Sequence, residues 1–103
     1  MSGFAPQPKP RPRVLDRIAY RKDREAKHRA FVAAVWVRDG GLCRHCGRKV
    51  LKTMQAVPSR GEVHHIHGRN VAPADRYNPK AAVLLCLLCH KDPAVIARFR
   101  RFH

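Results

Sequence analysis

Three histidines, at positions 64, 65 and 67, lie between two Cys-x-x-Cys pairs. Imidazole can accept a proton near neutral pH and can also bind a transition metal. Phosphodiester hydrolysis needs both functions, a base on one side of the phosphorus and a cation near the other. Neighbouring residues of a strand point to opposite sides, so His64 and His65 suit different tasks. His90, which directly follows the second cysteine pair, is the candidate for a second imidazole at the cation.

The cysteine pairs themselves, Cys43 with Cys46 and Cys86 with Cys89, predict a structural site. Each short turn presents two sulfurs to one ion, and four thiolates form the closed tetrahedral site that Zn²⁺ adopts in structural roles. The alternatives are a redox-active pair or free thiols. A thioredoxin-like redox pair would require βαβ units, and the sequence pattern does not contain them.

The charge of the chain indicates its partner. Lys and Arg number 22 against 7 Asp and Glu, a formal net charge of +15, which favours a polyanion, above all DNA. An anionic membrane is the rival, but the longest apolar stretch, residues 81–89, is far shorter than the roughly 20 residues of a membrane span. Residues 1–12 lack the apolar segment of a secretory signal, so we expect a cytoplasmic protein without a membrane partner.

The surrounding elements must position these side chains. Residues 1–13, rich in proline and basic residues, predict a disordered arm that is either a solvated tail or a phosphate contact, and residues 14–103 predict one domain. Apolar spacing predicts a helix over 14–39, ended by Gly40-Gly41, with Phe31 and Trp36 in the core. Residues 50–57 are predicted to form a strand or a loop. Two further strands are predicted over 62–66 and 81–85, and residues 68–79 are predicted to form a long polar connection between them. Asp92-Pro93 predicts the start of a helix that continues to about Arg98.

Three blocks of sequence together resemble one known family. They are Arg38-Asp39-Gly40-Gly41-Leu42-Cys43-x-x-Cys46-Gly47, Val63-His64-His65-Ile66 and Leu85-Cys86-x-x-Cys89-His90. In this order they resemble the zinc-braced HNH endonucleases, over about residues 31–95. The resemblance implies a small α+β, ββα-metal fold: a hairpin containing His64 and His65, then a helix, starting at or near His90, that presents His90.

The resemblance also implies an activity, a metal-dependent DNA endonuclease or nickase that leaves 5′-phosphate and 3′-hydroxyl ends. His65 would be the general base, and His64 with His90 would bind one catalytic divalent cation. The family often has Asp where this chain has His64; an imidazole there favours Mn²⁺, Ni²⁺, Co²⁺ or Zn²⁺ over Mg²⁺. The family's Asn, five positions before Cys86, is Ala81 here. Asn78 either replaces it through a shifted loop or is a turn residue before Pro79.

Four basic residues flank the predicted site and are candidate phosphate contacts, with ordinary surface charge as the alternative: Arg69, Arg76, Lys80 and Lys91. His67 receives no assigned role. If the cysteine pairs are left out of account, the clustered histidines would be interpreted as solvated side chains or as an adventitious metal site. The main alternative for the whole chain is a non-catalytic, zinc-braced nucleic-acid-binding module, and a partner-binding zinc finger would explain the cysteines but not the charge.

Overall fold

The computed structural model describes residues 13–68 and 72–101, which form a small α+β fold. The helix α1 (Val14–Arg38) comes first, followed by the strands β1 (Gly61–His65) and β2 (Ala82–Cys86) and the helices α2 (Leu87–Lys91) and α3 (Pro93–Arg101). Two 3₁₀ turns, Pro73–Asp75 and Pro79–Ala81, lie in the connection between the strands. The predicted arm lies outside the described residues, apart from Arg13.

Helix α1 starts where the apolar spacing predicted and ends one residue earlier, with Asp39 as its C-cap; it contains no Gly or Pro. Its first turn is closed by Asp16, whose carboxylate accepts the N–H of Arg13 at 3.3 Å. Gly40 and Gly41 end it with φ angles of +64° and +68°, which only glycine adopts easily. Phe31 and Val35 are its buried residues. The first half of α1 is therefore exposed, although Leu15 and Ile18 continue the apolar spacing.

The two strands form an antiparallel hairpin that carries the histidines. His64 lies opposite Val83 and His65 opposite Ala82. Every residue of β2 is buried, as expected for a continuous apolar run. Residues 50–57 form a loop, and Leu51 pairs with Arg60 only through an isolated bridge.

The core lies between the second half of α1, the hairpin and α3. Phe31 is buried, and Trp36 is partly buried against the same cluster, so both predicted core aromatics are confirmed. Gly61 at the start of β1 lies directly under the Trp36 indole: a Cβ atom there would lie 2.6 Å from Cη2. The ammonium of Lys52 covers the indole at 5.1 Å from the ring centroid.

The C-terminal helical region is divided at Asp92. The predicted N-cap is confirmed, because Asp92 Oδ1 accepts the N–H of Ala94 at 2.9 Å, and α3 starts at Pro93. His90 belongs to a separate short helix that starts earlier than expected, at Leu87. The break follows from Pro93, since the residue before a proline avoids helical backbone and Asp92 has a ψ of 114°.

No helix among residues 13–68 and 72–101 combines the length and the apolar character that a membrane span needs.

Candidate metal and nucleic-acid site

The four cysteines come together in one cluster, as their spacing predicted. Their sulfur atoms all lie within 4.8 Å of one another. The Sγ atoms of Cys46 and Cys86 are 3.7 Å apart, and a tetrahedron with Zn–S bonds of about 2.3 Å has an edge of about 3.8 Å. The cluster is therefore of the right size to hold a metal ion such as structural zinc.

The backbone around each cysteine pair presets this geometry. Gly47, with φ of +75°, closes the turn after Cys46 and donates its N–H to the carbonyl of Cys43 at 2.9 Å. Arg44 N–H donates to the carbonyl of Leu84 at 2.9 Å, which ties the first pair to β2. In the second pair, Cys86 ends β2 and Cys89 lies in α2. The cluster thus connects the loop after α1 to β2 and to α2, the helix that contains His90.

The thiols of the cluster do not ionise equally. Burial opposes ionisation of Cys43, but backbone N–H groups, including those of Cys46, Cys86 and His45, lower its pKa to about 6. Burial raises the pKa of Cys89, and the other three thiols act in the same direction. A bound cation would favour the ionised form of all four thiols, because it is the thiolate form that ligates metal.

The side chains of His64 and His65 diverge as predicted. The ring of His64 faces the ring of His90, with centroids 5.2 Å apart. His65 instead stacks on Phe31 of α1, with centroids 5.1 Å apart and planes 15° from parallel. The strand therefore separates an imidazole pair, formed by the buried His64 and the half-buried His90, from a single imidazole next to α1.

The ring of His64, which faces His90, is buried. His64 is 8% exposed, and its buried Nε2 atom has no hydrogen-bond partner among residues 13–68 and 72–101. Burial, together with the charges of His90, His65 and Arg100, lowers the pKa of His64 to about 4. The imidazole is therefore neutral at pH 7, the form that ligates metal. An unpaired buried nitrogen costs stability, and a cation would satisfy it.

His65 is oriented by the loop that follows β1. Its Nε2 atom lies 3.0 Å from the backbone carbonyl oxygen of Arg76. A carbonyl only accepts, so this bond requires the proton on Nε2 and leaves Nδ1 as the basic nitrogen. Phe31 supports the ring from its face. This arrangement, an imidazole held by a hydrogen bond at one nitrogen, is suited to general-base chemistry at the other.

Asn78 stabilises the same loop. Its side-chain oxygen accepts the N–H of Lys80 at 3.1 Å, and its amide donates to Asp75 at 3.2 Å. It caps the 3₁₀ turn Pro79–Ala81, so it is a turn residue. At position 81, where the family has its Asn, the backbone carbonyl of Ala81 accepts the N–H of Ile66 at 2.9 Å. Asn78 therefore holds the loop that carries the Arg76 carbonyl, while it makes no hydrogen bond to His65 itself.

Comparisons with known proteins return no relative for this chain: no family model matches it, and neither a curated protein nor a solved structure does. The resemblance to the HNH endonucleases therefore depends on its own three sequence blocks. What the structure supports directly is a possible metal-binding cysteine cluster in a small α+β fold.

The predicted phosphate contacts are not brought together. Arg76 lines a cleft of about 580 Å³ next to His65. Lys91 lines a separate depression of about 560 Å³ beside α3. Lys80 is exposed and lines neither of these two surfaces, and Arg69 lies outside the described residues.

Several residues near the site were missed by reasoning from the sequence. Arg100 lowers the pKa of His64, and it was not among the predicted site residues. Arg21, Arg24 and Arg29 of α1 line the His65 cleft. The helical periodicity placed them on α1, but only the fold shows which of them face His65.

Proposed function

We propose that this protein is a metal-dependent DNA endonuclease or nickase of the HNH kind, in which β1, β2 and α2 form the ββα-metal finger. One observation carries the proposal. Adjacent residues of one strand provide a buried imidazole with a free nitrogen, His64 facing His90, and a second imidazole, His65, held by a carbonyl on the opposite side. A protein that only binds nucleic acid has no need of two adjacent histidines that lie on opposite sides of one strand with different partners.

In the proposed reaction His65 acts as the general base. Its Nδ1 atom takes a proton from a water molecule, and the water oxygen forms a bond to the phosphorus. The bond between phosphorus and the 3′ oxygen then breaks, and that oxygen takes a proton from solvent. The products are a 5′-phosphate and a 3′-hydroxyl. The Arg76 carbonyl keeps the proton of Nε2 in place and stabilises the imidazolium as it forms.

His64 and His90 would hold the divalent cation, which supplies positive charge to the phosphate and to the leaving oxygen. Two imidazoles leave the remaining coordination positions to oxygen ligands from outside the protein. Nitrogen ligands favour late transition metals over Mg²⁺. We therefore propose that Mn²⁺, Co²⁺, Ni²⁺ or Zn²⁺ supports cleavage better than Mg²⁺ does.

The test uses supercoiled plasmid and protein that carries zinc only in its cysteine cluster. Each divalent ion is added separately, and nicked and linear products are quantified. We expect cleavage with the transition metals, and products that a DNA ligase reseals because the ends are 5′-phosphate and 3′-hydroxyl. His65→Ala should reduce the rate by about 10²-fold or more, the usual contribution of a general base.

His67→Ala is the matched control, because His67 is an exposed histidine of the same segment without an assigned task. It should cleave at close to the wild-type rate. Undiminished cleavage by His65→Ala would remove His65 as the base. Equal or faster cleavage in Mg²⁺ would remove the metal preference, and no cleavage with any ion would contradict the enzyme.

The second candidate is a zinc-braced nucleic-acid-binding module without catalysis. It is favoured by the small number of ligands near His64: across residues 13–68 and 72–101, the cysteine cluster is the one group of three or more potential metal ligands. This candidate predicts DNA binding that persists unchanged in His64→Ala and His65→Ala, with no cleavage by the wild type.

A further inference from the structure

Helix α1 overhangs the side of the molecule on which His65 lies. Residues 14–30 are exposed along their whole length, and the helix contacts the core only through its second half. At about 1.5 Å per residue, the stretch from Arg21 to Phe31, the residue that stacks on His65, is about 15 Å long. The exposed half of α1 thus forms one wall of an open cleft that reaches His65.

This cleft is lined mainly by positive charge. Arg21, Arg24 and Arg29 contribute from α1, and Arg76 contributes from the opposite wall. The lining also includes one carboxylate, that of Glu25. Within the described part of the chain none of the four arginines forms an ion pair. Arg24 lies over the Tyr20 ring, which leaves its charge uncompensated.

Such a surface fits a chain of phosphates. Four guanidinium groups around one cleft repel each other, and an anion placed between them relieves that repulsion. Guanidinium binds phosphate oxygens with well-directed hydrogen bonds. The 15 Å length corresponds to the axial rise of about four nucleotides of one DNA strand. His65 at one end would then lie next to a phosphate of the same strand.

We propose that α1 and the loop containing Arg76 form a cleft that binds the DNA backbone on one side of His65, over about four nucleotides and without sequence preference. The proposal rests on the proposed function for the identity of the partner. It assigns to α1 a role in substrate binding that the three sequence blocks of the HNH resemblance do not include.

The test compares two double variants that remove the same charge. Arg21→Gln/Arg24→Gln removes two arginines of the cleft. Lys22→Gln/Lys49→Gln removes two exposed lysines that do not line it; Lys22 lies on the same helix, turned about 100° from Arg21. Binding of a fluorescent 20-base-pair duplex is measured by anisotropy over a series of salt concentrations. Zinc is limited to the amount that the cysteine cluster binds, and no other divalent ion is added, so that the probe stays intact.

We expect the cleft variant to bind at least ten-fold more weakly at 0.1 M salt. Its plot of log affinity against log salt should be less steep by about 1.8, since each lost phosphate contact on duplex DNA contributes about 0.9. The control variant should keep most of the wild-type slope. Equal effects of the two variants, or no effect of either, would overturn the cleft. Circular dichroism confirms that both variants keep the helix.

Failure of the cleft and failure of the nuclease give different results. If the wild type cleaves plasmid while both variants bind DNA equally well, the proposed binding cleft is contradicted and the proposed nuclease activity is supported. If no metal supports cleavage but the cleft variant alone loses salt-dependent DNA binding, the proposed nuclease activity is contradicted and the proposed binding cleft is supported. In an active enzyme the cleft variant should raise KM more than it lowers kcat, because its arginines bind the DNA backbone and neither take the proton nor hold the cation.

Discussion

At the scale of single residues, Asp39 joins three parts of the fold. Its carboxylate accepts hydrogen bonds from the guanidinium groups of Arg38 and Arg44, at 2.8 to 2.9 Å, and from the N–H of Leu84 at 2.9 Å. Arg38 also donates to the carbonyls of Pro79 and Ala82. Asp39 therefore holds the end of α1 against β2 and against the loop that follows Asn78.

The first prediction concerns the charge of Asp39. Burial opposes its ionisation, but the bonds from Arg38, Arg44 and Leu84 outweigh burial and lower its pKa. A carboxyl group with a lowered folded-state pKa stabilises the fold above its unfolded pKa of about 3.9, and this contribution is lost as the pH falls further. Asp39→Asn should therefore cost about 3 kcal/mol at pH 7, as expected for a broken buried ion pair.

Urea unfolding at several pH values, with zinc present, measures this cost. The difference between wild type and Asp39→Asn should stay constant from pH 7 to about 4.5 and shrink below about pH 4. The control is Asp23→Asn, which removes an exposed ion pair with Lys27 at 3.0 Å and should leave the stability nearly unchanged, because solvent screens such a pair. A difference that shrinks between pH 7 and 5 would assign the effect to a histidine instead.

At the scale of elements, the contact between β1 and α1 decides where the histidines lie. Gly61 is the residue of β1 on which Trp36 of α1 rests. With this contact in place, the register puts His65, four residues further along β1, opposite Ala82 and against Phe31. The spacing of aromatic residues on α1 thus sets the position of the strand.

The second prediction tests this contact. Gly61→Ala should destabilise the protein by about 1–3 kcal/mol, because its methyl group overlaps the Trp36 indole and the core must shift. The same substitution in a Trp36→Leu background should cost less, since the overlap is gone. Thermal unfolding of the four proteins gives the coupling energy. Additive effects would show that the contact does not constrain the strand.

At the scale of the whole molecule, the cysteine cluster connects the two halves of the chain. Cys43 and Cys46 follow α1, and Cys86 and Cys89 lie 40 residues or more further on. A chain of 103 residues has a small core, and a metal that binds only the folded state adds its binding free energy to stability.

The third prediction is that Cys89→Ser releases zinc and abolishes the cooperative thermal transition. Structural zinc contributes roughly 10–16 kcal/mol in small zinc domains, as much as the whole stability of an average protein. Zinc release is measured with a chromogenic chelator. His45→Ala is the control: His45 lies inside the first pair but contacts Arg98, at 2.8 Å, and is outside the sulfur cluster. A cooperative transition in Cys89→Ser would contradict a structural metal.

Much of the local structure followed from sequence patterns. Spacing of apolar residues predicted α1 and the buried strand β2, and Asp92-Pro93 predicted the start of α3. The exposure of Leu15 and Ile18 was not predictable, because periodicity gives a helix face but not the length over which a partner covers it. The start of α2 at Leu87 was also missed, because Cys86 is both the last residue of a strand and the residue directly before the helix, with no capping side chain to mark the change.

The residue types themselves determined the chemistry that is available: four thiols at metal-binding spacing, adjacent imidazoles on a strand, and a large positive charge. These properties are local, so they can be read from the order of residues. Tertiary structure alone decided which of them meet. Packing of α1 on the hairpin put Arg21 and Arg24 into the cleft that reaches His65, and the loop between the strands put the Arg76 carbonyl at the Nε2 atom of His65. Contacts between residues so far apart depend on how the elements pack, and sequence spacing does not specify that.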